Sequence, residues 1–386
     1  MKVVDLFAGC GGMSLGFEAA GLELALAIEL WEPARRVYQK NFSHPVYDLD
    51  LSNVVDATNL ITTISPTIII GGPPCQEFSM AGTRVEGTRA KLTYNFSEII
   101  SGVKPKWFVL ENVPGAQKSD AWKESRELLE KNGYGITECI LNASFFGVPQ
   151  NRKRFFAIGR IGETHDFLKE ELQKKKNNTP LTIREYAGED FGIEYYYRHP
   201  RNWGRKGIFS IDEPAPTVRS TIRQVPPGYN AHSDDAGPLE SARALNIRER
   251  ATVQTFPSDF EFFGTRTAQD TMIANAVPIL LAKHIAECII KHEDKVTCES
   301  LEIFRSWLQD KHFYTVRTAS NVLSRLKRVN QMLGCDERNF KFDKILMDLS
   351  CNDEFNNLTS SVKSQIRKAV KLKHEFNENM TYKNNR

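Results

Sequence analysis

No two of the seven cysteines form a Cys-x-x-Cys pair, and the seven (Cys10, Cys75, Cys139, Cys288, Cys298, Cys335, Cys351) are odd in number and scattered. That pattern excludes a disulfide framework and a zinc ribbon, and it fits a reducing cytoplasm. Long apolar runs are missing as well: none approaches the roughly 20 residues that cross a bilayer. The opening MKVVDLFAGCGG lacks the apolar segment of a secretory signal. There is no internal repeat and no long low-complexity segment. With 41% apolar and 26% charged residues in 386, the chain is expected to be an ordinary globular protein of two to three domains.

Charge of one sign is scarce overall, at +3, but it is unevenly spread. Residues 299–386 carry 16 basic and 11 acidic side chains, whereas 1–298 carry 35 and 37. The positive balance therefore belongs to the C-terminal segment, which is compatible with nucleic acid and equally with a solvated surface.

What is present first is an α/β rhythm. Val3–Phe7, Leu24–Ile28, Thr67–Ile70, Trp107–Leu110 and Phe155–Gly159 read as buried strands. Between the first four lie helical stretches near 14–20, 33–41 and 94–101, and another near 121–132 precedes the last. This alternation predicts a parallel-rich sheet with helices on both faces. After Arg160 the rhythm stops, and prolines, glycines and the stretch Tyr195-Tyr196-Tyr197-Arg198-His199 predict an irregular lobe. Helix returns near 247–254 and 277–291. The tail reads as helical, with Val322, Leu326, Val329 and Leu333 three and four apart. The expected division is 1–159 (α/β core), 160–265 (inserted lobe), 266–293 (return to the core) and 299–386 (helical extension).

Asp5-Leu6-Phe7-Ala8-Gly9-Cys10-Gly11-Gly12 follows a strand and opens a helix, so a ligand could lie across the strand end. Glu29 ends the second strand, where a carboxylate can accept from ribose hydroxyls. The dinucleotide fingerprint needs a further glycine where Ser14 stands. That favours a cofactor without phosphates, such as S-adenosylmethionine.

Gly71-Gly72-Pro73-Pro74-Cys75-Gln76-Glu77-Phe78-Ser79 follows another strand. Two prolines stiffen the chain just before the thiol, at the sheet edge where such folds bind ligands. Glu111-Asn112-Val113 ends the next strand, so Glu111 could lie beside Cys75; a helix cap or ion pair is the plainer role for that carboxylate.

Six segments now stand in order: DLFAGCGG, GGPPCQEFS, ENV, Gln150-Asn151-Arg152-Lys153-Arg154, Arg248-Glu249 with Gln254-Thr255-Phe256-Pro257, and Asn275-Ala276-Val277-Pro278. In these the sequence resembles the cytosine-C5 DNA methyltransferases of bacterial restriction–modification systems, over about residues 1–293. The resemblance implies a Rossmann-like S-adenosylmethionine-dependent methyltransferase sheet. It also implies a reaction: Cys75 thiolate attacks cytosine carbon 6, Glu111 protonates or hydrogen-bonds ring nitrogen 3, and the activated carbon 5 takes the methyl group. That transfer leaves S-adenosylhomocysteine as the by-product, and loss of the carbon-5 proton then releases Cys75. Arg154 would contact the base carbonyl oxygen, with Arg152 beside it. Phe7, Gly9, Gly11, Glu29, Asp50, Pro73 and Asn275 would contact the cofactor, with Asp48 competing with Asp50 for the adenine amino group. The sequence departs from the family pattern at Leu30, where an aromatic often stacks on adenine (Trp31 is one place later), at Ala274 and at Ser258.

Carbon 6 is shielded in a stacked duplex, so the resemblance implies base flipping, with residues 76–91 closing over the DNA and Ser79 contacting a phosphate or sugar. Within the lobe, Arg201, Arg205, Arg219 and Arg223 with Thr217 are candidate DNA-reading residues, because arginine pairs bidentately with guanine and also contacts phosphate. Arg243 is expected to orient the lobe or to form a helix-end ion pair. His284, Cys288 and His292 recur every four residues but alternate with Ile285 and Ile289; packing is the simpler reading and no metal is expected. In the tail, Val362, Ile366 and Val370 mark an apolar stripe beside Lys363, Arg367, Lys368 and Lys371, which would suit an auxiliary DNA- or partner-binding domain or one that packs on the core. The expected partners are double-stranded DNA and a cognate restriction endonuclease, with no membrane; the expected state is a cytoplasmic, nucleoid-acting monomer. The alternatives are transfer-RNA cytosine methylation and a non-catalytic DNA-binding regulator.

Overall fold

The computed structural model describes residues 1–74, 91–200, 204–333 and 342–384. Cys75, Ser79, Arg201 and Trp203, and nearly all of the 76–91 loop, lie outside the described residues. The chain forms two compact units, Met1–Ile290 and Lys291–Arg386.

The first unit begins β1 (Lys2–Leu6), α1 (Gly12–Ala19), β2 (Glu23–Ile28), α2 (Glu32–Asn41), β3 (Val46–Tyr47), α3 (Val54–Ile64) and β4 (Ile68–Gly71). It continues with α4 (Lys91–Val103), β5 (Trp107–Asn112), α5 (Asp120–Lys131), β6 (Tyr134–Asn142), β7 (Gln150–Asn151) and β8 (Lys153–Ile161). Among the described residues, seven strands form one sheet in the order β3-β2-β1-β4-β5-β8-β6. The first five run parallel, and β8 is antiparallel to both β5 and β6.

Successive strand side chains point to opposite faces, and here both faces are covered. Val3, Ile68, Ile70, Trp107 and Val109 pack on one side with Phe17 of α1. Val4, Leu6, Ile69, Phe108 and Leu110 pack on the other with Ala57, Ile61, Phe96, Ile99 and Leu129 of α3, α4 and α5. Strands buried on both faces read as apolar runs, which is why β4 and the first four residues of β5 stand out in the sequence, and β1 does so apart from Lys2 and Asp5. The chain leaves β1 toward β2 and returns to β4 on its other side. The crevice at such a switch point is where open α/β sheets bind ligands.

The lobe contains α6 (Lys169–Lys174), α7 (Ile183–Ala187), β9 (Tyr195–Tyr197), β10 (Ile208–Ser210), β11 (Ala215–Pro216) and β12 (Ala242–Ala244). Strands β10, β9 and β12 make a small sheet, and β11 pairs in parallel with β7. Helix α8 (Ile247–Val253) starts with a capping box between Asn246 and Glu249, and α9 (Arg266–Asn275) follows. Helix α10 (Ile279–His312) follows, and within Arg266–His312 lies a window apolar enough by length and composition to span a bilayer. In this fold Leu281, Ala282, Ile285, Ala286 and Ile289 instead fill the core against the sheet.

The second compact unit, Lys291–Arg386, begins within α10. It is completed by α11 (Val316–Leu333), α12 (Phe342–Ser350), α13 (Asp353–Asn356) and α14 (Ser360–Asn384). Its own core gathers Phe304, Leu308, Val322, Leu326, Val329, Ile345, Leu349, Ile366, Val370 and Phe376.

Candidate active site

The loop after β1 turns through left-handed backbone at Phe7 (φ 58°), Gly9 (φ 57°) and Gly11 (φ 94°). That path aims the Gly9 N–H at Glu29, whose Oε2 accepts it at 2.7 Å while Oε1 accepts from the Trp31 N–H, also at 2.7 Å. Burial raises the Glu29 pKa, opposed by those two amides and by Arg35. The end of β2 is thus tied to the first loop, and together they form one wall of a cavity of about 820 Å³.

Phe7, Gly9, Glu29, Asp50, Pro73 and Asn275 all line that cavity. Gly11 does not; a Cβ there would lie 2.3 Å from the Phe42 ring, so its glycine serves helix packing. Asp48 is held outside by Arg35 at 3.5 Å, whereas Asp50 and its neighbours Leu49 and Leu51 face in. Trp31 and Leu30 also border the opening.

Asp5, which stands out in the sequence only as part of a motif, lies in the same wall with 1% of its surface exposed. Its Oδ2 accepts from Ser14 Oγ at 2.5 Å, and Ser14 in turn accepts from the Tyr38 hydroxyl at 2.7 Å. Its Oδ1 is buried without a hydrogen-bond partner. Burial pushes the Asp5 pKa up to about 7, with Glu29 adding to the rise and Ser14 opposing it. The donor and acceptor set fits S-adenosylmethionine: carboxylates at Glu29 and Asp50 for hydroxyl and amino groups, an open acceptor at Asp5, and apolar walls from Phe7, Ile28 and Leu51.

Glu111 sits at the C-terminal end of β5. Its carboxylate is buried, and its Oε1 lies 2.8 Å from Arg154 Nε. Burial raises its pKa, with Arg154 and then Arg152 acting in the opposite direction. A Cβ on Gly72 would be only 3.1 Å from Glu111 Oε2, so the chain just before Cys75 runs against this carboxylate. The next residue, Asn112, donates from its amide to the Pro73 carbonyl at 3.2 Å. A side chain larger than hydrogen at position 72, or loss of Asn112, would disturb the lead-in to Cys75.

Arg152, between β7 and β8, and Arg154, on β8, take different surroundings. Arg154 is partly exposed and pairs with Glu111. Arg152 is buried and donates to the carbonyls of Ala274 (2.8 Å) and Ala276 (3.0 Å), holding the backbone on either side of Asn275.

A second cavity, of about 630 Å³, opens between the core and the lobe. Val113, Arg154 and Asn275 line both cavities. Thr217, Arg219 and Arg223 are on its lobe side; Arg205 is exposed elsewhere on the lobe. Arg219 donates to the His199 carbonyl at 3.1 Å, and Arg223 approaches His199 Nε2 at 3.3 Å. Thr217 Oγ1 donates to the Asn151 carbonyl at 2.9 Å. Beside it the Val218 N–H donates to Gln150, which donates to Gln254, which reaches the carbonyls of Ile273 and Ala276. This buried chain of amides joins the lobe to the end of α9 that carries Asn275; both glutamines open motif segments, but nothing in their spacing reveals the link. Arg243 pairs with both Glu249 oxygens at 2.8 and 2.5 Å, fixing β12 to α8, and Arg250 forms a buried pair with Asp270.

His284 Nε2 pairs with the Leu172 carbonyl at 2.9 Å and its ring stacks on Phe146. Among the described residues no group of three metal-ligating side chains occurs.

Comparisons with known proteins bear on this arrangement. A family model described as C-5 cytosine-specific DNA methylase matches residues 1–291. Type II methyltransferase M.HindV of Haemophilus influenzae is 50% identical over 296 residues, covering 76% of this chain and 97% of that protein. Type II methyltransferase M.HgiDI of Herpetosiphon aurantiacus is 46% identical over 309 residues, covering 80% and 100%. Among solved structures, the S. pombe Dnmt2 methyltransferase aligns with a TM-score of 0.58 at 18% identity, over 75% of this chain and 98% of that one. The Entamoeba histolytica methyltransferase EhMeth aligns at 0.55 and 19%, over 76% and 98%. These two likenesses speak for the fold.

Proposed function

The chain belongs to the C-5 cytosine-specific DNA methylase family, and from that premise we propose how its own residues methylate cytosine carbon 5 in DNA. Cys75 adds as a thiolate to carbon 6 of a cytosine turned out of the duplex. Glu111 holds a proton for ring nitrogen 3, so the electron pair displaced from the 5,6 double bond is drawn into the ring and carbon 5 becomes nucleophilic. A buried carboxyl with a raised pKa holds that proton more readily than a free one. Arg154 steadies Glu111 and the carbonyl oxygen of the base. Once carbon 5 has been methylated, loss of its proton expels Cys75 and restores the ring.

S-adenosylmethionine, bound in the larger cavity, supplies an electrophilic methyl group. Glu29 is assigned to the ribose, Asp50 to the adenine amino group, and Phe7, Gly9, Pro73 and Asn275 to the remaining contacts. Gly11 supports the loop through its packing on Phe42. Arg152 positions the backbone around Asn275 at the end of α9 from behind.

The observation that carries this reading is the common wall of the two cavities, Val113, Arg154 and Asn275, with Glu111 paired to Arg154. A methyl donor on one side and an extruded base on the other would meet there. Thr217, Arg219 and Arg223 face the base-side cavity and are assigned to the DNA, with Arg205, Arg201 and Ser79 as further contacts. Relatives named Type II methyltransferases favour double-stranded DNA over transfer RNA. We extend the reading to a monomer in the bacterial cytoplasm, acting on the nucleoid and protecting sites that a cognate restriction endonuclease cuts.

The test is expression in a host without cytosine methylation, followed by conversion sequencing of its genome. One short motif methylated by the wild type and unmethylated with Cys75→Ala supports the assignment. An unmethylated genome together with methyl transfer to RNA overturns it.

A further inference from the structure

The family match ends at residue 291, and the unit that follows has a lopsided charge distribution. Helix α11 carries Arg317, Arg325, Lys327 and Arg328 and no acidic residue; 360–374 of α14 carry Lys363, Arg367, Lys368, Lys371 and Lys373 and again none. These two helices pack on one another, and Arg325 donates to Gln365 at 2.7 Å between them. The acidic residues of the unit lie on other segments.

Most of these cations keep their charge uncompensated. Arg328 meets Glu354 at 3.4 Å. Among the described residues no carboxylate lies in ion-pair range of Arg317, Arg325, Lys327, Lys363, Arg367, Lys368 or Lys371. Two are braced instead by aromatic rings: Arg367 lies 5.4 Å over Phe355 and Lys368 lies 5.6 Å over Tyr314. A ring face fixes a cation in place without cancelling its charge, as a carboxylate would. Lys363, Arg367 and Lys371 also recur at four-residue spacing, one above another on α14, where like charges repel. An apolar core needs no such stripe, and an anionic partner would relieve its repulsion.

We infer that α11 and the first half of α14 form an auxiliary surface for the phosphate backbone of duplex DNA, binding without sequence preference. α11 alone is about 27 Å long, so the pair can follow phosphates over roughly eight base pairs. This rests on the DNA reading above, for a protein acting on DNA already works beside the polyanion that these charges fit. The surface raises the time spent on DNA and leaves target choice to the first unit.

Full-length protein and the variant Arg367→Gln/Lys368→Gln/Lys371→Gln are compared for binding to a 30-base-pair duplex over a range of salt concentrations. Each phosphate left without its cation lowers the slope of log affinity against log salt by about 0.9, so a fall of about 2 to 3 is expected, with at least tenfold weaker binding at low salt. Methyl transfer at saturating DNA stays unchanged. Lys327→Gln/Lys371→Gln, at two exposed positions, serves as a second variant should the first unfold, with a proportionate fall of about 1 to 2. Wild-type slope and affinity in a folded variant overturn the inference, as does charge-dependent capture of an acidic protein with DNA binding untouched. Wild-type protein that does not bind DNA would instead overturn the function on which the inference rests.

Discussion

The side-chain amide of Asn112 donates to the Pro73 carbonyl across 3.2 Å, while its own oxygen accepts from the Val113 N–H at 2.8 Å. One buried side chain therefore fixes both the end of β5, where Glu111 sits, and the stiff dipeptide that leads to Cys75. Relative placement of an acid and a nucleophile is worth orders of magnitude in rate.

Asn112→Ala should lower the single-turnover rate of methyl transfer by about tenfold to a hundredfold. It should cost about 1–3 kcal/mol of stability through the unsatisfied carbonyl. Cofactor affinity, measured by calorimetry, should change little. An equal loss in both quantities would mean that Asn112 shapes the cofactor cavity instead.

Arg154 works against the burial that raises the Glu111 pKa. Arg154→Gln removes that opposition, so Glu111 should hold its proton to higher pH. Activity that needs protonated Glu111 is lost as pH rises through its pKa. The alkaline limb of the single-turnover profile should therefore move upward in the variant, even as the maximal rate falls. An unmoved limb would separate Glu111 from that titration.

Asp5 has a folded-state pKa near 7 against 3.8 for the free side chain. The folded protein thus holds a proton that the unfolded chain has already released. This contribution to stability is complete below about pH 4 and is lost as pH climbs to 7. Asp5→Asn cannot ionise and escapes the loss. Without cofactor, its stability relative to wild type should rise between pH 5 and pH 8, by at most a few kcal/mol at about 1.4 kcal/mol per unit. Urea melts at the two pH values measure it, and a constant difference would refute the buried titration.

Gly11→Ala should destabilise the fold, by about 1–2 kcal/mol from left-handed backbone alone and further from the clash with Phe42. If Gly11 serves packing, cofactor affinity of the folded fraction should be nearly preserved. A large loss of affinity with little loss of stability would return Gly11 to the cofactor wall.

The parts legible in the sequence are those whose signal is local. Strand β4 and the first four residues of β5 are unbroken apolar runs because both of their faces are covered, and the glycine loop is a short motif. Helix α3 escapes a reading of the sequence, since VVDATNLITTI is rich in β-branched residues that favour strands and is held helical by burial of Ala57 and Ile61. Strand β6 escapes it too, because YGITECILN has neither clean alternation nor an apolar run. Its pairing with β8, and that of β8 with β5, makes this edge antiparallel, a relation set by long-range packing. The same limit applies in the site. Asp48 and Asp50 are indistinguishable in sequence and are separated only when Arg35 draws Asp48 aside. The burial of Asp5 and the hold of Asn112 on Pro73 are likewise tertiary facts.

Covalent attack by Cys75 is tested with a duplex carrying 5-fluorocytosine at the methylated position. Fluorine cannot leave carbon 5 as a cation, so the last step is blocked and the bond from sulfur to carbon 6 persists. The expected result is a protein–DNA adduct that survives denaturation, requires S-adenosylmethionine, maps to Cys75 by mass spectrometry and is absent in Cys75→Ala. No adduct from a protein that methylates the ordinary duplex, or an adduct through another residue, would contradict it.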